Sequence, residues 1–250
     1  MKKDIKLYEK LIISLLTIFI IVITLWITII PITKSKSFYM KQYKLHNTSE
    51  VTGYNEEELS IITDKIIAYL FEETDDMQVQ INGMDVFSNQ ALYHMRDVRD
   101  LYIKGQRLAW LILGLFILAS IYIFFHFNRL KKYLLRYSIV SICVIFIIIL
   151  IFASLALIDF NYAFELFHHI IFPSESKYND AFFGTISNYP EKEGVNNRML
   201  ILILSNGLFM NVGLILLEVV VVVLVIWFGS LIIINKLNKK NKIGEKECTV

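Results

Sequence analysis

The sequence predicts a mainly α polytopic membrane protein with four transmembrane helices and a small extracytoplasmic cap containing helices and a β-hairpin. Three observations carry this reading. Of the 250 residues, 56% are hydrophobic, against roughly 45–50% in a soluble domain, and the mean hydropathy is +0.55. The apolar residues gather into runs of about 20, the length that crosses a hydrocarbon core. Basic residues sit at the N-terminus, in one short loop and in the C-terminal tail, while two long loops hold most of the acids. The whole chain, 1–250, reads as a single membrane domain.

The first span is expected over residues 11–32, after Lys2, Lys3, Lys6 and Lys10. It is too long for the apolar region of a signal peptide, and no small-x-small cleavage site follows, so it is expected to stay attached. Residues 33–106 form the first polar loop. Within it Asn55 precedes three acids, Glu56 to Glu58, which favour a helix N-terminus. Leu59, Ile62, Ile66 and Leu70 then recur at helical spacing. From Gln78 to Phe87 the residues alternate about Asn82-Gly83, a strong signal for a tight hairpin.

The second and third spans are expected over 107–127 and 138–158, joined by a loop carrying Arg129, Lys131, Lys132 and Arg136. The second polar loop is 159–198. The apolar stretch from Met199 to Asn235 is too long for one straight span. Its first part, Met199 to Met210, is therefore expected at the membrane interface, and the fourth span at 211–234. Lys236, Lys239, Lys240, Lys242 and Lys246 follow. The positive-inside rule then puts both termini in the cytoplasm and both long loops outside.

Chemistry is expected in those loops. Ser88 is a candidate N-cap for a helix that runs on towards the second span. On that helix His94 and Asp97 share one face, while Arg96 and Arg99 point elsewhere. A histidine held by a carboxylate just outside a bilayer suits general base catalysis; a solvated surface pair is the plainer alternative. In the second loop Phe160, Phe164, Phe167, His168 and Ile171 recur at helical spacing up to Pro173, as in an amphipathic helix at the outer surface. His169 is offset from His168 by about 100°. These histidines also read as plain interfacial residues. His46 and His126 are expected to be solvated or interfacial. Glu218 is a carboxylate within the fourth span, near its outer boundary, and an intramembrane acid is a candidate functional group.

Other chemistries leave little trace. Cys143 lies in an apolar run and Cys248 in the basic tail, so no disulfide framework or thiol nucleophile is indicated. There is no Gly-x-Ser-x-Gly, no His-Glu-x-x-His and no Gly-rich phosphate loop. No histidine pair has tight zinc-ligand spacing. No cofactor, no resident metal and no nucleic-acid partner are expected.

The segments His94-Met-Arg-Asp97-Val-Arg99 and Phe167-His168-His169-Ile-Ile-Phe172, in a chain with these spans and loop lengths, resemble the lipoprotein intramolecular transacylases of low-GC Gram-positive bacteria. The resemblance implies that His94 and His168 are the two essential histidines; Asp97, Arg96, Arg99, His169 and Glu218 are expected in support from their own positions. Family members often carry an acid three residues before the first histidine; this chain has Ala91 there. They also tend to have a tryptophan after the second motif, where this chain has Lys177-Tyr178. The implied substrate is the diacylglyceryl-modified N-terminal cysteine of a bacterial lipoprotein, in contact with membrane lipids. The implied reaction moves its sn-2 acyl chain to the cysteine's own α-amine and leaves a lyso-lipoprotein. The implied location is the bacterial cytoplasmic membrane, with the active site on the extracellular face. Two rival readings are a non-enzymatic membrane protein that binds or senses a ligand through its cap, and a metal-dependent outer-face hydrolase.

Overall fold

The computed structural model describes residues 5–159 and 198–247, with Tyr162, Leu166, Ile170, Val195 and Asn196 between them. The described chain is mainly helical. In order come α1 (Leu7–Lys34), α2 (Lys36–Leu45), α3 (Thr48–Thr52), α4 (Glu56–Leu70), β1 (Gln80–Ile81), β2 (Met84–Asp85) and α5 (Asn89–Phe125). Then follow α6 (Phe127–Ile158), α7 (Met199–Ile203) and α8 (Asn206–Glu247). Three helices among the described residues, α1, α5 and α8, are long and apolar enough to cross a membrane. Helix α6 runs unbroken through residues 138–158.

The chain divides into two compact units. The first comprises Met1–Thr28, Arg107–Ser154 and Leu216–Val250. Its core is small and apolar: Ile13 and Leu16 of α1, Ile123 of α5, Leu130 and Leu134 of α6, and Leu231 of α8. Where the surroundings are apolar on all sides, hydrogen bonds between helices add specificity. Thr17 Oγ1 donates to Ser138 Oγ at 2.9 Å, and Ser141 Oγ donates to the Ser14 carbonyl at 3.1 Å. Both tie α6 to α1. Glu9, fully buried at the start of α1, accepts hydrogen bonds from the Arg129 guanidinium, from Tyr122 Oη at 3.0 Å and from the Lys6 backbone N–H at 3.0 Å. A buried carboxylate is tolerated only when it is partnered in this way.

The second unit comprises Ile29–Gln106 and Leu155–Ile215. Local sequence signals set most of its elements. Ser35 Oγ accepts from the Phe38 N–H at 3.2 Å and opens α2. Asn55 and Glu58 form a reciprocal capping box at α4. Asn55 Oδ1 accepts from the Glu57 and Glu58 N–H groups, and Glu58 Oε2 accepts from the Asn55 N–H, each at 2.9 Å. The α4 stripe of Leu59, Ile62, Ile66 and Leu70 is buried against Tyr39 and Tyr43 of α2 and Met77, Val79, Val86 and Phe87 around the hairpin. Tyr43 and Thr63 share a buried hydroxyl–hydroxyl hydrogen bond of 2.9 Å. Burial pushes the Tyr43 phenol up to about 12, against a smaller lowering from Thr63, so it stays neutral at any physiological pH.

The hairpin forms where Asn82-Gly83 requires it. Both residues have positive φ, 53° and 79°, as a type I′ turn demands. Ile81 pairs with Met84 and Gln80 with Asp85. The Gln78 carboxamide then closes the base, donating to the Phe87 carbonyl at 2.8 Å and accepting from the Phe87 N–H at 3.1 Å. The next residue, Ser88, caps α5 by accepting from the Ala91 N–H at 3.2 Å.

Met199, Leu200, Ile203 and Leu208, expected at the membrane interface, are buried in the core of the second unit. The apolar run is divided by Ser205, whose carbonyl and hydroxyl both receive the Leu208 N–H, so α7 ends and α8 begins there. An apolar run shows that a segment needs cover, whichever surface supplies it.

A Cβ at Gly83 would meet no neighbouring atom within 4 Å, so a substitution there is opposed by the backbone alone. Gly83→Val is expected to cost about 1–3 kcal/mol for forcing a β-branched residue to positive φ. A lower melting temperature in detergent checks it.

Candidate active site

The first turns of α5 bury one stripe. Ala91 and Met95 are buried in the second unit's core, with Leu92 and Val98 packed against it. At about 100° per residue, His94 and Asp97 follow one another along one edge of this stripe, and Arg99 lies along the other. His94 is half-buried. The Asp97 side chain is 20% exposed and stands 3.7 Å from Arg96 Nε. An imidazole and a carboxylate thus share a helix edge where water is partly excluded, a setting in which a histidine can be oriented and still exchange protons.

The two arginines have other duties. The Arg96 guanidinium lies 5.3 Å from the centroid of the exposed Tyr93 ring. Arg99 donates to Asp75 Oδ1 at 3.2 Å and lies 4.7 Å over the Tyr69 ring. Arg99 thereby links α5 to the end of α4. Asp75 is fully exposed, so the pair gains little electrostatically and acts mainly as a geometric tie.

His168 and His169, with Phe160, Phe164, Phe167, Ile171 and Pro173, lie outside the described residues. Glu218 is exposed on α8, in the first unit. Its carboxylate is not enclosed by neighbouring helices. His126 is exposed as expected, stacked on Tyr122 with ring centroids 4.4 Å apart.

Two buried polar groups escaped the sequence reading. His46 is not a solvated residue: it is half-buried at the end of α2, and its Nε2 is enclosed with no hydrogen-bond partner among the described residues. Its ring packs on Gly207, where an added Cβ would overlap three ring atoms. One turn away on each helix, Asn211 Nδ2 donates to Gln42 Oε1 at 2.7 Å. Gln42 of α2 and His46, the residue that ends it, thus match Asn211 and Gly207 of α8. The i, i+4 spacing was visible on both helices, but the pairing across 169 positions was not. The second group is Gln90, one turn before His94. It is 7% exposed, and its Oε1 also lacks a hydrogen-bond partner among the described residues. Among the described residues no three His, Cys, Asp or Glu side chains gather closely enough to hold a metal ion.

With three helices long and apolar enough to cross a membrane, the fold defines a helical membrane protein. The family described as lipoprotein intramolecular transacylase Lit matches residues 12–178, more than half of the chain. The chain belongs to this family and is therefore an acyltransferase acting in lipoprotein processing. Its fold is similar to in meso structures of the membrane integral lipoprotein intramolecular transacylase Lit from Bacillus cereus. One is 19% identical and has a TM-score of 0.60, covering 97% of this chain and 99% of that one. Two histidine variants of the same protein also match, each with a TM-score of 0.60. The alanine variant is 16% identical over 96% of each chain, and the arginine variant 17% identical over 97% of this chain and 95% of that one. No curated protein matches the sequence.

The His46–Gly207 contact gives a test by change of sign. Gly207→Ala is expected to destabilise by about 1–3 kcal/mol through overpacking. In a His46→Ala background the same change should stabilise by up to about 1 kcal/mol, the helix preference of Ala over Gly. Thermal melts of the two single variants and the double variant measure both.

Proposed function

We propose that this chain transfers the sn-2 acyl group of a diacylglyceryl-modified N-terminal cysteine to the α-amine of the same cysteine, releasing the lyso-form of the lipoprotein. An α-amine has a pKa of about 7.7–8.0, so near neutral pH most of it is protonated and unreactive. A base must take a proton from nitrogen. The neutral amine then attacks the ester carbonyl, and the oxyanion needs a donor. The bond between the acyl carbonyl carbon and the sn-2 oxygen then breaks; the oxygen stays on the glyceryl group and gains a proton, while the nitrogen keeps the acyl chain and gives up its extra proton. Atoms and electrons balance within one substrate, and holding amine and ester together supplies much of the rate.

The observation that carries this reading is the half-buried pair His94 and Asp97, on the edge of a helix stripe fixed by the core, in a chain of the transacylase family. In this proposal His94 is the base for the amine and Asp97 orients it. His168 donates to the oxyanion or to the leaving oxygen, with His169 and Glu218 outside the chemistry. Arg96 and Arg99 support α5. Helix α6 is read as the third of four spans, with both termini cytoplasmic and residues 33–106 and 159–198 outside. The length of α6 and the basic residues beside α1, α6 and α8 support that topology.

The test is the mass of a model lipoprotein's N-terminal peptide after co-expression in a host that makes no lyso-form. Wild type should yield the lyso-lipoprotein. His94→Ala and His168→Ala should each lower the yield by about 10²–10⁴-fold, the usual contribution of a positioned acid or base, while the protein stays in the membrane. Asp97→Asn should lose less, and His169→Ala little. A fully active His94→Ala protein would overturn the assignment.

Topology is checked separately. Reporters fused at Lys240 and near Asn188 should give opposite answers; the same side for both would refute the four-span arrangement.

A further inference from the structure

Gln90 stands four residues before His94 on α5, so the two lie about 40° apart around the helix and about 6 Å apart along it. Side chains at that spacing have Cβ atoms about 5–6 Å apart, and helical side chains lean towards the N-terminus, so His94 leans over the turn carrying Gln90. Gln90 is 7% exposed, and its Oε1 is enclosed without a hydrogen-bond partner among the described residues. A buried acceptor left empty destabilises the resting protein and is open to a donor that arrives with a ligand.

We propose that Gln90 is a substrate-binding residue whose Oε1 accepts a hydrogen bond from the α-amine of the lipoprotein's N-terminal cysteine, while His94 takes a proton from the same nitrogen. The proposal rests on His94 being the base of the reaction. One imidazole fixes one N–H direction and leaves the amine free to rotate about it. A second acceptor one helical turn away fixes another direction and so points the lone pair at the ester carbonyl. The chemical type of that acceptor matters. A carboxylate there would stabilise the ammonium form and raise the amine's pKa, making the reactive neutral form scarcer. A carboxamide holds the nitrogen without that penalty.

The test uses the full-length protein in detergent with a synthetic diacylglyceryl-cysteine lipopeptide, reading lyso-product formation against pH and melting temperature in parallel. Gln90→Met keeps the volume and removes the acceptor. It should lower kcat/KM about tenfold, the worth of a lost hydrogen bond to a reacting group, with a melting temperature equal to or above wild type. Gln90→Glu should move the rising limb of the pH–rate profile to higher pH, since a carboxylate there favours both the ammonium and the His94 imidazolium. A wild-type rate for Gln90→Met, or an unmoved limb for Gln90→Glu, overturns the proposal. Should Gln90→Met fail to fold, the rate of Gln90→Leu at a wild-type melting temperature decides in its place. His94→Ala in the same assay separates the two readings. If it is inactive while the Gln90 variants behave as wild type, only this proposal falls. If it is active, both fall.

Discussion

Burial of one stripe of α5 is the constraint on which the chemistry depends. Ala91, Met95 and Val98 are drawn against the core built by α4 and the hairpin. That contact fixes the rotation of the helix and leaves His94 and Asp97 on its edge. A rotation of one residue would bury the imidazole or turn it fully into water. Gln78 and Ser88 fix where the helix begins, and Arg99 ties its far edge to Tyr69. The candidate base is positioned by contacts that include neither its own ring nor the substrate.

The first unit is organised by the opposite means. Its apolar core is small, so side-chain hydrogen bonds carry much of the specificity. Glu9 receives donors from three directions, and Thr17, Ser138 and Ser141 join α1 to α6. In the second unit apolar packing dominates, and the enclosed atoms of Gln90 and His46 that have no hydrogen-bond partner among the described residues stand out for that reason.

Legibility in the sequence followed range. The Asn55–Glu58 box, the α4 stripe, the Asn82-Gly83 turn and the Ser88 cap each need only a few neighbouring residues, and each was readable from them. The His94–Asp97 edge was readable as a shared face. Which neighbours covered the rest of α5 was not. Long-range partners were invisible: nothing local marks His46 as the neighbour of Gly207, or Gln42 as that of Asn211. The protein core that covers Met199, Leu200, Ile203 and Leu208 was equally hidden, since apolarity records a demand for burial without naming the surface that meets it. Gln90 could have been picked out by its place one turn from His94, but its burial depends on contacts the sequence does not reveal.

The seating of α7 and the first turns of α8 in the second unit's core has a consequence for biosynthesis. Tyr39 to Val98 leave the ribosome long before Met199 to Val212, yet both sets make one core. At about 5–20 residues per second, translation separates the end of α4 from α7 by roughly ten seconds. During that interval the core lacks Met199, Leu200, Ile203 and Leu208. It closes only when α7 and the first turns of α8 have been made. An interrupted chain that carries the His94 segment but lacks α7 is therefore a target for quality control, with its apolar stripes still uncovered.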